Sequence, residues 1–355
     1  MASQSSISLC IFLVVCVGVS DVLAFSTTTT SSSAISRAPI ATRQEWQTGV
    51  EIELPNLELL FDRISQASPL AKLVMEGKGN SYGGFDAMHD DDDVKHPELK
   101  WKRVEENKKK TVHRVDKADR FQGVKTPILR FRSSIKGPCI GERFSHFILD
   151  IDERKKWDEN IHLNYEMYPI DPAGEYCQID NAILCNSEKY GNCERIGVGY
   201  TQTKQGIISP REQLILGGMQ EYDNGATILW GTEMEEQHNH LLPDGPRHTR
   251  SKSHLFAATL VPTSSNSFDV EYLLQMDVGG GLPHFMTTPA ITDIVKKLFD
   301  HTKNYFEGGE GSELDQYLKC RVEEESSDIE MIGMDEDDYH SYHLNDLESL
   351  LFTPS

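Results

Sequence analysis

Residues 277–308 read DVGGGLPHFMTTPAITDIVKKLFDHTKNYFEG. Within this stretch Ile291, Ile294, Val295, Leu298, Thr302 and Tyr305 recur at spacings of three and four, the signature of one apolar stripe on a helix. Asp293, Lys296, Lys297, Asp300 and Lys303 fall on the other side. Thr288 reads as the N-cap, Pro289 as the first helical residue and Gly308-Gly309 as the stop. Just upstream, Gly279-Gly280-Gly281 forms a bend able to absorb backbone rotation. The stretch therefore predicts a long amphipathic helix hung on a glycine hinge.

Upstream of this helix the chain is dominated by strand signals. Residues 126–134, 176–184, 194–202, 207–216, 226–234, 251–261 and 268–276 each read as a strand. Ile196, Val198 and Tyr200 share one face of their strand, and Ala226, Ile228, Trp230 and Met234 share one face of theirs. Between the first two strands, 141–149 places Phe144, Phe147 and Ile148 at helical spacing. A run of antiparallel strands followed by one long helix gives an α+β fold, not a nucleotide-binding α/β sheet. A strongly twisted sheet can wrap around such a helix and leave an internal hydrophobic cavity between them.

Further toward the N-terminus, 56–76 carries Leu57, Leu60, Phe61, Ile64, Leu70, Leu73 and Val74 at mostly helical spacing, interrupted at Pro69. A Gly-rich and then Asp-rich linker follows, ending in the run Asp90 to Asp93. Residues 1–24 read as a signal peptide with a short apolar core, Ile7 to Val19. Residues 25–45 are rich in Ser and Thr, carry Arg37 and Arg43, and have the composition of a transit peptide. Together they resemble the bipartite presequence of algae whose plastids lie behind ER-derived membranes, with Phe25 at the sorting junction. The alternative is a plain secretory signal followed by a Ser/Thr linker. At the other end, 309–355 is an acidic tail expected to be disordered, with eleven Asp or Glu and no Lys or Arg after Arg321.

The formal net charge of −21 argues against nucleic acid as a partner and against strong electrostatic docking on anionic membranes. After removal of the leader, Cys139, Cys177, Cys185, Cys193 and Cys320 remain, with no CxxC. That is neither a disulfide scaffold nor a zinc site. Cys185 and Cys193 flank a short loop and could pair in an oxidising compartment, whereas buried thiols would be inert. His238 and His240 form an HxH in a loop, without the acids or thiols that a metal site needs. No cofactor is expected.

Three segments, in order, resemble the START lipid-transfer family. Arg154-Lys155-Lys156-Trp157-Asp158 resembles the family's "RKxWD" turn. Ile208-Ser209-Pro210-Arg211-Glu212 resembles its "xSPRD" strand entry, with Glu for Asp. Asp277 to Pro283 resembles its "DxxGxLP" bend, with Gly281 where an aromatic residue is usual. Trp101 near the start fits as well. The resemblance covers 97–308 and implies a helix-grip fold, a curved antiparallel sheet around the last helix, holding a sterol, phospholipid, sphingolipid or similar molecule. The spacing from Trp157 to Arg211 is longer than the family's, with the excess in 170–192. Sterol-binding relatives keep a buried acid and arginine at places that fall here on Val198 and Gly217. Neither residue can form that pair, which speaks against a cholesterol-type site.

The candidate ligand-contacting residues follow from this reading. Trp157 is a packing anchor or a ligand contact. Arg211 pairs with Asp158, Glu212 or Asp277, or forks onto a lipid phosphate. Met219, Trp230, Met234, Tyr272, Leu274 and Met276 on the strands, with Ile294 and Leu298 on the helix, are the cavity candidates, since Met and aromatic side chains suit a flexible apolar ligand. The leading function is non-enzymatic binding of a lipid or other hydrophobic molecule, with transfer or sensing and transient membrane contact. The alternatives are an enzyme of the same broad superfold acting on hydrophobic rings, and a regulatory module whose tail, with Leu344, Leu347, Leu350, Leu351 and Phe352, recruits a protein partner.

Overall fold

The structure, a computed structural model, describes residues 52, 54–77, 99–107, 110–116, 124–170, 186–204, 209–245 and 247–321. The leader, the strand expected over 176–184, most of the 170–192 excess, and the tail beyond Arg321 lie outside these residues.

Two short helices come first, α1 (Leu57–Ala67) and α2 (Pro69–Met75). Pro69 divides them as expected. Ser68 ends α1 and caps α2, its hydroxyl accepting from Ala71 N. Then follow β1 (Lys102–Asn107), β2 (Lys110–Val115), β3 (Ile128–Lys136), α3 (Gly141–Leu149), α4 (Ile151–Trp157) and β4 (Ile161–Ile170). The single turn α5 (Ser187–Tyr190) leads into β5 (Asn192–Thr203), β6 (Arg211–Glu221) and β7 (Thr227–Glu233). A 3₁₀ turn (Glu236–Leu241) precedes β8 (Thr249–Arg250), β9 (Lys252–Ser264), β10 (Ser267–Asp277) and α6 (His284–Phe306).

The strands form one sheet in the order β1-β2-β3-β10-β9-β7-β6-β5-β4, antiparallel throughout, with β8 joining β6 in parallel. The architecture is α+β, an antiparallel sheet gripping a C-terminal helix.

Both faces of the sheet are covered, so there are two cores. The inner core lies between the sheet and α3, α4 and α6. It contains Phe131, Phe144, Phe147, Tyr272, Phe299 and Phe306. The outer core lies beneath α1 and α2 and contains Phe61, Ile64, Ile196, Val198, Ile228 and Trp230. This explains the strand burial: in β3 and β10 nearly every residue is buried, because neither face meets water. It also extends the packed body past both ends of 97–308. The segment over 57–75 is a cover for the sheet, and a further helix over 313–321 adds Leu314 and Leu318 to the inner core.

The last helix begins earlier than its sequence predicts. It starts at His284, and Pro289 lies inside it. Proline is compatible there because its φ suits a helix; the loss is one hydrogen bond, leaving the Phe285 carbonyl without its usual i+4 donor. Met286 N bonds Pro283 O at 3.0 Å, so the first turn is anchored on Pro283 instead of Thr288.

Candidate functional site

The inner face is lined by alternate residues of each strand. Met219 of β6 sits opposite Leu229 of β7, and both belong to the inner core. Val270, Tyr272 and Leu274 of β10 belong to it too, with Met276 packed at its edge. From α6, Val295, Leu298, Phe299, Tyr305 and Phe306 complete it, with Ile291 and Ile294 partly buried. Trp157 joins from α4, its indole N–H donating to Phe147 O at 3.0 Å. That bond satisfies the ring and makes Trp157 the anchor tying α4 to α3.

Seven candidates therefore belong to or pack against this one core: Trp157, Met219, Tyr272, Leu274, Met276, Ile294 and Leu298. Trp230 and Met234 do not. They occupy the outer core, where Trp230 packs edge-on against Phe61 at 5.8 Å and points its N–H at Gln220. Alternation correctly shows that Ala226, Ile228, Trp230 and Met234 share a face. It does not say which face looks toward α6, and here both are apolar.

The inner space is tight at one end and loose at the other. Around the C-terminal half of α6, Phe147, Phe299, Thr302 and Phe306 are fully buried. That half is also fastened by polar contacts: Arg143 Nε donates to Tyr305 OH at 2.8 Å, and His301 Nε2 lies 3.3 Å from Glu153 Oε2. Toward the N-terminal half, Phe256, Met276, Ile291 and Ile294 pack against the inner core while only half-buried, and Ile215, on the same face of β6 as Met219, is half-buried too. Phe285 in the first turn is 78% exposed. The floor of this looser end is glycine. Gly217 sits directly between Gly197 on β5 and Gly231 on β7, and Gly199 faces Ile215. A methyl group added at Gly199 would meet nothing nearer than 3.7 Å.

Polar groups are few. The Tyr272 hydroxyl is fully buried and has no hydrogen-bond partner among the described residues, in a ring of Phe144, Phe256 and Phe299. Burial holds its pKa well above the usual tyrosine value, so it remains a neutral donor. At the β4 margin Arg195 pairs with Glu166 at 3.0 Å. An acid and an arginine thus do meet on neighbouring strands, but not at Val198 and Gly217. His254 of β9 and Glu233 of β7 form a second pair, Nδ1 to Oε1 at 2.8 Å, beside the glycine floor. The sequence offered no signal for either pair, because each depends on cross-strand register, which shifts between Glu166 and Tyr168 on β4 and again on β9 opposite Gln275 and Met276.

Arg211 makes none of the three expected ion pairs. Its guanidinium donates to Val278 O at 2.9 Å and to Ser209 O and Oγ at 2.6 and 2.7 Å. Asp158 instead faces Arg154 at 3.7 Å, Glu212 accepts from Tyr200 OH at 3.3 Å, and Asp277 accepts from Gly279 N at 2.8 Å. Arg211 is therefore a clamp on the hinge. The hinge glycines all have φ near +70°, a region closed to proline, and a Cβ on Gly279 would lie 2.1 Å from Arg250 O.

The two histidines of the HxH lie in the 3₁₀ turn, His238 buried and His240 exposed. Among the described residues no three His, Cys, Asp or Glu side chains gather into a group that could hold a metal ion. Burial pushes the Cys139 and Cys193 thiols up to about 12, which keeps them unreactive.

No protein-family model matches the sequence, and no curated protein matches it. Among solved structures the chain is similar to human StAR-related lipid transfer protein 5, at 15% identity and a TM-score of 0.45, covering 70% of this chain and 98% of that one. It is similar to human STARD10 at 16% identity and a TM-score of 0.43, covering 58% and 74%. A StAR-related lipid transfer protein fragment from Xanthomonas axonopodis gives 12% identity and a TM-score of 0.41, covering 59% and 99%.

Proposed function

We propose that the chain binds one lipid-like hydrophobic molecule between the inner face of the sheet and α6, and that it acts as a carrier or sensor of that molecule, not as an enzyme. The observation that supports this is the loose end of the inner core: Phe256, Met276, Ile291 and Ile294 pack against it while only half-buried, and Gly197, Gly217 and Gly231 lie side by side on the adjoining strands. Each CH₂ moved from water into such a space contributes about 0.8 kcal/mol, so an acyl chain or ring system supplies enough to offset an imperfectly filled interior. Entry and exit run past the N-terminal half of α6, where Ile291 and Ile294 are only half-buried. Native mass spectrometry of protein purified from its own compartment tests the reading: a co-purified hydrophobic mass is expected, and a chain that neither carries nor takes up such a molecule sinks it.

Filling the floor gives a sharper check. Gly199→Leu adds a side chain where a methyl has room, and leucine is at least as stable in a strand as glycine. Thermal stability should hold within about 1 kcal/mol while affinity for a hydrophobic fluorophore falls at least about tenfold. Unchanged affinity would place the ligand elsewhere.

Delivery to a plastid through the ER belongs to the same proposal, supported by Ala24-Phe25 ahead of an acid-poor Ser/Thr stretch. Residues 1–45 fused to a fluorescent reporter should reach the plastid, and Phe25→Ala should leave the reporter in the secretory path. A reporter indifferent to the change would leave only the secretory reading.

A further inference from the structure

The Glu233–His254 pair has the geometry of a built polar contact. Glu233 follows Leu229 and Gly231 by strict alternation and sits opposite Ile215, which puts its side chain on the side facing α6. His254 is the residue skipped by the β9–β10 bulge, so alternation does not place it, and its contact with Glu233 puts it on Glu233's side. Side-chain exposure is 13% for His254 and 25% for Glu233, so both are half-buried at the loose end of the space. A carboxylate can only accept, so the His254 Nδ1 at 2.8 Å carries the proton. In the neutral ring this leaves Nε2 as a bare lone pair. Among the described residues no polar group bonds that atom.

We propose that His254 Nε2 receives the polar end of the bound molecule, and that this molecule is an alcohol: a long-chain or polycyclic hydrophobe ending in a hydroxyl. This rests on the ligand space described above and adds to it the class of ligand. A hydroxyl has the donor that Nε2 lacks. A carboxylate or phosphate in the same place would bring a second anion toward Glu233, in a chain already strongly acidic. A hydrocarbon or ether would leave Nε2 desolvated and unmet. The apolar body then lies over Gly217 and Gly231, between Phe256 and Ile294, with its hydroxyl at the hinge end, where a carried alcohol would first meet water or a membrane surface.

The test uses the full chain, stripped of ligand, with oleyl alcohol, oleyl methyl ether and oleic acid as probes in equilibrium titrations. One hydrogen bond to this half-buried acceptor should make the alcohol bind about tenfold tighter than its ether, and the acid no tighter than the ether. His254→Phe keeps the ring's bulk and removes the acceptor. It should erase the preference by weakening the alcohol while leaving the ether unchanged. Glu233→Ala frees the ring to turn and should reduce the preference severalfold. Equal binding of alcohol and ether to the unaltered protein overturns the proposal even if a variant fails to fold. So does a preference that survives in folded His254→Phe, or acid binding tighter than alcohol. Binding of none of the three would bring down the ligand space together with the proposal, whereas equal binding of all three brings down the proposal alone.

Discussion

Glu271→Ala is expected to destabilise the protein by about 3–5 kcal/mol, the cost of removing one partner from a buried charge cluster. Glu271 sits on β10 with its side chain on the outer face, and it is fully buried. Its carboxylate receives Arg132 Nε directly and lies 3.9 Å from Arg130 Nε, with both arginines also buried on β3. The Ser68 hydroxyl donates to its other oxygen, at the junction between α1 and α2. Trp101 covers Arg130 with its ring at 4.2 Å. This carboxylate thus meets two guanidinium groups and pins the helical cover to the sheet. Its removal takes the carboxylate away from two buried guanidinium groups and lets go of the residue that caps α2. Urea unfolding should show the midpoint falling with the slope unchanged. Ser68→Ala, which removes only the cap and one hydrogen bond, should cost about 1 kcal/mol. A loss below about 1 kcal/mol for Glu271→Ala would mean that solvent reaches the arginines and that the cover is only loosely applied.

That cluster also marks where sequence reading stops. The Ile291-to-Tyr305 stripe, the amphipathic 141–149 segment and the β-rich run from 194 to 276 were legible, because local periodicity is enough to see them. β1 and β2 were not: KRVEEN and KTVHRV are charged strands at the sheet margin, and their pairing with each other and with β3 supplies what their composition does not. Glu271 alternates with Val270 and Tyr272 in a way that looks like a solvated face, since nothing local tells that α1 and α2, some two hundred residues earlier in the chain, will cover it. The same long-range fact misdirected Trp230 and Met234. A sheet covered on both sides has two apolar sets of equal appearance, and only tertiary contact assigns one of them to the ligand side. Arg211 failed differently. Its type and position in the Ser-Pro-Arg segment were legible, but its partners are two carbonyls and the Ser209 hydroxyl, which no pattern of acidic residues reveals. The contact between Glu233 and His254 became visible only through register.

Leu298→Asp should carry the largest penalty of all, and its pH dependence identifies the cause. Leu298 is 5% exposed and lies in the inner core on the stripe of α6 that faces the sheet. Truncating a buried leucine costs about 2–5 kcal/mol, and the polar replacement gains nothing back. A carboxylate at this place has no cation to pair with inside the aromatic cluster, so the folded protein must hold the new carboxyl neutral. From an unfolded value near 4, protonation at pH 7 costs about three units at about 1.4 kcal/mol each, roughly 4 kcal/mol beyond the packing loss. Leu298→Asn has nearly the same shape and no charge, so it removes the packing term from the comparison. The folded-state pKa of the new carboxyl is raised, and the unfolded chain gives up its proton first as pH climbs. The stability gap between the Asp and Asn variants should therefore vanish below about pH 4 and widen by about 1.4 kcal/mol per unit up to neutrality. The total loss at pH 7 approaches the whole stability of an ordinary domain, so folding there is to be measured in the presence of an osmolyte or bound ligand. A gap that stays flat from pH 4 to pH 7 would show that the new carboxyl reaches water, meaning that α6 can swing out at its middle. The pivot would then lie C-terminal to Leu298, in the half fastened by Tyr305 and His301, and the exit path past Ile291 and Ile294 would be wider than the closed structure implies.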